Sequence, residues 1–167
     1  MLQPVARRTW ARRGKTPILR QWERHDRLSV VSALTLSPKR RRFGLYWKSQ
    51  RRNIRGEDLV PFLRELLRHL PRGFILVWDR WSVHKGLPVR RYLERHADRI
   101  GVEWLPSYAP ELNPDEHVWG HTKHGELANC CPGDIDDLEG RVEGSMRSKA
   151  SRSDLLRSFF KLARLKL

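Results

Sequence analysis

The alternation of apolar and polar positions divides the chain into segments with distinct periods. Residues 7–25 are basic and irregular, with Gly14 and Pro17 marking turns and Trp10 as the one large apolar anchor in the first seventeen residues, which predicts a short extended lead-in. Leu28–Leu36 (LSVVSALTL) is apolar and β-branched, Pro38–Arg42 is a basic turn, and Phe43–Lys48 is a second extended run; together they predict an antiparallel hairpin. Gly56–Leu70 carries Leu59, Phe62, Leu63, Leu66, Leu67 and Leu70 at helical spacing. Glu57 and Asp58 open that segment and Arg68 and His69 close it, the placement of charge that a helix dipole favours.

After Pro71 and Gly73, the run Phe74–Trp78 (FILVW) is continuously apolar, which predicts a strand covered on both faces and ending at Asp79. Residues 86–98 predict a helix, Val102–Leu105 a short strand, and Pro106–Pro114 a proline-rich loop. Asn113 as N-cap, Pro114 at the first helical position and Glu116 at the third predict a helix opened by a capping box. The remainder to Leu167 reads as a helical, basic tail interrupted by Pro132, Gly133, Gly140 and Gly144. Strands and helices in this order predict an α/β fold.

A length of 167 residues fits one domain, 1–167, and 39% hydrophobic content with seven tryptophans is enough for a core. No apolar stretch approaches the roughly 20 residues of a membrane span, and no secretory signal opens the chain, so membrane and secreted classes are set aside. Adjacent Cys130 and Cys131 are poorly placed to pair with each other, which fits a reducing, cytoplasmic home.

Charge changes the picture most. Lys and Arg number 34 against 19 Asp and Glu, a net +15, and this predicts a polyanionic partner, with DNA the first candidate and association with the nucleoid its consequence. The basic residues run along the whole chain and are mostly Arg, unlike a membrane-surface helix, although GC-rich codons also produce such a composition.

Asp79, at the end of a buried strand, sits where α/β folds place ligands, and equally where an Asp starts a turn. Glu116 is equally well explained as a capping residue. Taken together on a basic chain, the two carboxylates suit phosphodiester chemistry around divalent metals about 4 Å apart, with hard oxygen ligands favouring Mg2+ or Mn2+ and Arg and Lys holding phosphates. His117, His121 and His124 offer a competing zinc-binding face, set against the ordinary occurrence of His on exposed basic helices. Among the tryptophans, Trp81 in the Asp79 loop is the candidate for base stacking and the others are read as core.

VWDRWSVHKG (77–86) and WLPSYAPELNPDEHVWGHTK (104–123) resemble the second and third acidic motifs of the DDE transposases, in the branch shared by mariner-like elements and bacterial insertion sequences. The 36 residues between Asp79 and Glu116 match that branch, RTWARRGKTP (8–17) and the hairpin resemble the segment before the second acid, and the likeness covers residues 1–127, leaving 128–167 as the tail. The resemblance implies a ribonuclease-H-like mixed sheet flanked by helices, with Asp79 and Glu116 as catalytic ligands to Mg2+ or Mn2+. It implies metal-dependent DNA cleavage and strand transfer, with transposon ends and target DNA as partners.

The same resemblance makes His84 a residue beside the site or a DNA contact. Arg80, which stands where relatives often have Asn, becomes a phosphate contact, and Lys85, Asn113 and Lys123 are further supporting or DNA-contacting candidates. One departure is decisive. The family's first Asp lies on a first central strand, yet no Asp precedes Asp26, which falls in the turn before the hairpin. The expectation is a catalytic domain that lacks that strand and the N-terminal helix-turn-helix region and has little or no activity alone. The alternative is a non-catalytic DNA-binding remnant, or an inhibitor that associates with itself or with full-length transposase.

Overall fold

The computed structural model describes residues 7–15, 18 and 27–165. β1 (Ser29–Leu36) and β2 (Phe43–Gln50) form the expected hairpin, with Leu36 opposite Phe43 and Ser29 opposite Gln50. α1 (Gly56–His69) follows, then β3 (Phe74–Trp78), a 3-10 turn at Ser82–Lys85, α2 (Leu87–Arg95) and β4 (Ile100–Trp104). A 3-10 turn at Pro110–Leu112 leads into α3 (Pro114–His121), a π-helical turn at Thr122–Glu126, α4 (Ile135–Ala150) and α5 (Ser153–Leu162).

The hairpin alternates, and each set of side chains finds its own layer. Val31, Ala33 and Tyr46 face α1, where Leu59, Phe62, Leu63, Leu66 and Leu67 receive them. Val30, Leu34, Leu45 and Trp47 face the other way, onto Val118 of α3, Leu138, Val142 and Met146 of α4, and Leu156 and Phe159 of α5. The hairpin is therefore the middle of three layers. α1 also covers Phe74, Leu76, Trp78, Ile100 and Val102 of the second strand pair, so a single helix spans both sheets.

Strand character is mixed, as expected, but divided. β1 and β2 are antiparallel, β3 and β4 are parallel with α2 as the crossover, and no strand among the described residues joins the two pairs. The expectation that Phe74–Trp78 is covered on both faces is overturned: Ile75 is 71% exposed and Val77 54%. α3, α4 and α5 gather on the hairpin instead, so the second face of β3 has no cover among the described residues, and a continuous apolar run cannot announce which of its faces finds a partner.

The tail also departs from expectation. Gly140 and Gly144 do not interrupt it but lie within α4, where a Cβ at either position would meet nothing within 4 Å. Each costs a helix roughly 1 kcal/mol against Ala, which burial of Leu138, Val142 and Met146 outweighs. Helix α2 is shorter than the predicted 86–98, because the chain spends Ser82–Lys85 in a separate 3-10 turn, and β4 starts two residues early. Trp10 anchors nothing and is fully exposed, and Trp104 is also partly exposed, whereas Trp47, Trp78 and Trp119 pack as expected. Pro17 and Asp26 lie outside the described residues. Among the described residues no helix is long and apolar enough to cross a membrane.

Candidate active site

The loop after β3 is built around Asp79. Its Oδ1 accepts the Trp81 backbone N–H at 3.0 Å, the side-chain-to-backbone turn that an Asp after a strand is expected to make. His84 Nδ1 lies 2.9 Å from the same oxygen and 3.1 Å from the Asp79 carbonyl, so the ring donates to Asp79 and holds it in place. The imidazole is itself fixed, stacked on Trp78 at 4.3 Å and met edge-on by Trp81 at 5.4 Å. His84 is mostly buried while about half of the Asp79 side chain stays open to solvent. Arg80 donates Nε–H to the Leu105 carbonyl at 3.2 Å, and Leu105 N–H bonds the Trp78 carbonyl at 2.9 Å, tying together the ends of β3 and β4.

Asp79 thus lies at the carboxyl edge of a parallel pair, beside the start of α1: a Cβ at Gly56 would come within 3.7 Å of Gly86. Two exposed aromatics, Trp81 and Tyr108, rim the same edge, and Tyr108 holds φ at 58°, a sparsely populated region for an aromatic residue. Lys85 is exposed on this side.

Glu116 lies at the start of α3. Asn113 is the N-cap as expected, its side chain accepting from Asp115 N–H at 3.1 Å. The capping box does not close, because Asn113 N–H is already given to the Pro110 carbonyl at 3.0 Å and leaves Glu116 nothing to accept. Glu116 is exposed and its carboxylate has no hydrogen-bond partner among the described residues, so capping does not account for it.

Sequence reasoning passed over Asp115, which looks like an ordinary acid in a first helical turn. Its Oδ2 accepts from Ser32 Oγ on β1 at 2.7 Å and from Trp119 Nε1 at 3.1 Å, while Oδ1 is buried without a partner. Burial pushes this carboxyl up to about 6, the Ser32 and Trp119 bonds oppose the rise, and the negative charges of Glu116 and Asp79 add to it. All three acids therefore share one electrostatic neighbourhood. Asp115 also pins the first turn of α3 to the hairpin, which sets where Glu116 stands. No local signal marks it, since its partner on β1 lies 83 residues away.

The competing histidine face does not form among the described residues. α3 ends at His121, and the π-helical turn at Thr122–Glu126 shifts the phase so that His124 leaves the line of His117 and His121. His121 packs against Phe159 with Nδ1 3.7 Å from Glu126, and among the described residues no three His, Cys, Asp or Glu side chains are grouped to hold a metal. Lys123 is half-buried within that turn. Asp79 and Glu116 remain as the candidate ligands, and no third such side chain is grouped with them among the described residues. Hard oxygens in that number still fit Mg2+ or Mn2+, which are commonly held by one or two carboxylates with water and phosphate completing the shell.

Known proteins agree with this architecture. The chain is 31% identical over 88 residues to the transposable element Tc1 transposase of Caenorhabditis elegans, covering 53% of this chain and 30% of that protein. The Mos1 mariner paired-end complex with Mn superposes with a TM-score of 0.62 at 14% identity, over 98% of this chain and 48% of the Mos1 chain. The Mos1 catalytic domain does so at 0.57 and 14% identity, over 82% of this chain and 74% of that one. The chain thus spans about a third of the Tc1 protein and about half of the Mos1 chain in the paired-end complex. These superpositions carry the ribonuclease-H-like fold, and residues 1–139, a longer span than the acidic motifs alone, match the family model of the DDE superfamily endonucleases, to which this chain belongs.

Proposed function

We propose that this chain is the catalytic part of a DNA transposase, with Asp79 and Glu116 as its metal-ligating carboxylates. The observation that carries the reading is that two solvent-facing carboxylates, one at the carboxyl edge of β3 and one at the start of α3, each add their charge to the environment of the buried Asp115 carboxyl. A bound divalent cation supplies activation of a nucleophilic oxygen and stabilisation of a leaving one. The chain's own residues do the positioning. His84 locks Asp79 through one carboxylate oxygen and leaves the other free, Ser32 and Trp119 hold Asp115 and with it the first turn of α3, and Arg80 and Lys85 offer positive charge to a phosphodiester. Single-stranded or unstacked bases beside the scissile phosphate would meet Trp81.

With no group of three such ligands among the described residues, the chain alone is expected to bind metal and DNA but to cut poorly. Calorimetric titration with Mn2+ tests the site: wild type binds, and Asp79→Asn or Glu116→Gln weakens binding at least about tenfold, the usual scale for loss of a ligand. Unchanged Mn2+ affinity in both variants would remove the metal site. In parallel, supercoiled plasmid should remain intact with Mg2+, and strong nicking that disappears in Asp79→Ala would overturn the expected inactivity while keeping the assignment of Asp79.

A second reading, a non-catalytic DNA-binding protein that associates with itself or with a complete transposase, is favoured by the uncovered face of β3 at Ile75 and Val77 and by the division of the sheet. Sedimentation of the chain alone and mixed with a complete transposase separates the two readings.

A further inference from the structure

The turn between β1 and β2 carries Lys39, Arg40, Arg41 and Arg42 in succession, all exposed, and none has a carboxylate partner among the described residues. The arginines that meet the acids of α4 behave differently. Arg51 is paired with Asp136 and Glu139, Arg141 with Asp137 at 2.7 Å, and Arg147 with Glu143 at 3.8 Å. Part of the protein's excess positive charge is thus left unneutralised at the hairpin tip, as four basic residues in succession.

That tip is ordered rather than loose. Ser37 N–H bonds the Arg42 carbonyl at 2.9 Å, Arg40 N–H bonds the Ser37 carbonyl at 2.7 Å, and Ser37 Oγ accepts from the Arg41 and Arg42 backbone N–H groups at 3.3 and 3.1 Å. Arg40 is held at φ 53°, where Gly or Asn would sit with less strain. An arginine in that conformation costs stability relative to glycine, and an observed strain of this kind is a pointer to use. At the base of the turn Phe43 packs on Phe160 of α5, and the Arg157 guanidinium lies 5.4 Å over the Phe43 ring. Lys161, one turn further along α5, is also exposed, so the helix extends the same positive surface.

The position is distinct from the acidic site. Asp79 lies by the start of α1, whereas Tyr46 of β2 meets His69 at the end of α1, on the way to the tip. From Ser32, which bonds Asp115, to Leu36 is already about 13 Å of strand at about 3.3 Å per residue. A duplex presents a phosphate charge about every 1.7 Å of its axis, so one reaching from the acids to the tip crosses roughly half a helical turn.

We propose that the Lys39–Arg42 tip, with Arg157, is a second contact surface for the phosphate backbone of duplex DNA, remote from the carboxylates and indifferent to base sequence. This rests on DNA being the partner, as in the function proposed above.

The test is fluorescence anisotropy of a labelled duplex of about one to two helical turns, with the 167-residue chain, across a NaCl series. The variant K39Q/R40G/R41Q/R42Q should lower the slope of log affinity against log salt by about 2 to 4, since each lost phosphate contact removes about 0.9. Arg40→Gly alone should weaken binding while melting at the same or a higher temperature, because it relieves the positive φ; a purely structural role for Arg40 would not move both readouts in opposite directions. As a charge control, R51Q/R141Q/R147Q should leave the slope unchanged. An unaltered slope in the tip variant, or an equal loss in the control, overturns the proposal while leaving DNA as the partner. If wild type itself shows no salt-sensitive duplex binding, the reading of DNA as partner falls as well.

Discussion

Lys149 sets up an asymmetry that mutation should expose. Its side chain is wholly buried between α4 and the π-helical turn, where Nζ donates to Glu126 and, at 2.6 Å, to Ser145 Oγ. Glu126 retains 29% of its side-chain exposure. Burial pulls the Lys149 ammonium below its ordinary value with Glu126 opposing, and burial would raise Glu126 but bonds from Lys149 and Ser145 outweigh it and hold that carboxyl low. Removing the two partners therefore has unequal consequences. Glu126→Ala leaves a cation with no water and only Ser145 as acceptor, which should cost about 3 kcal/mol. Lys149→Met keeps the volume, removes the buried charge and leaves Glu126 to water and Ser145, so about 1 kcal/mol or less is expected. For a chain of this size each kcal/mol is worth about 2–4 °C, so the first variant should melt about 6–12 °C lower and the second within about 4 °C of wild type. The double variant should recover most of the loss. Thermal and urea melts followed by circular dichroism decide it, and a Lys149→Met loss as large as that of Glu126→Ala would refute the argument.

Asp115 gives a pH-dependent counterpart. Its folded value near 6 lies above the ordinary 3.8, so its contribution to stability is fully present below about 3.8 and lost as pH rises through 6. That shift corresponds to about 3 kcal/mol, so the difference between wild-type and Asp115→Asn urea midpoints should swing toward the variant across this window, and a flat difference would contradict it. Gly73 sits at φ 83° with the Arg99 carbonyl oxygen 2.2 Å from where a Cβ would lie, so Gly73→Ala should lower stability by about 2 kcal/mol or more, read in the same melts. On β3, Ile75→Thr and Val77→Thr should each stay within about 0.5 kcal/mol of wild type and reduce light scattering on heating, whereas Leu76→Ala should cost about 2 kcal/mol or more.

Local pattern carried much of this molecule. Alternation over β1 and β2 with a basic turn between them made the hairpin legible, and the leucine spacing of Gly56–His69 made α1 legible, because both signals arise from residues within one element. The acidic motifs were equally readable, and Asp79 and Glu116 stand at element ends, as their spacing from strand and N-cap indicated. His84 beside Asp79 was within reach for the same reason, lying five residues away in one loop.

What the structure alone decided involves local turn geometry as well as partners far apart in sequence. The chain could not show that Asn113 N–H is taken by the Pro110 turn and so frees Glu116 from capping, nor that Asp115 meets Ser32 across 83 residues and becomes a buried acid. It could not show that a π-helical turn breaks the histidine line, or that the faces of β3 differ in cover. The physical reason is common to these cases. Periodicity records which side of an element is apolar, whereas burial, unpaired polar groups and shifted acidity depend on which other element arrives there, and that is settled only when the layers pack.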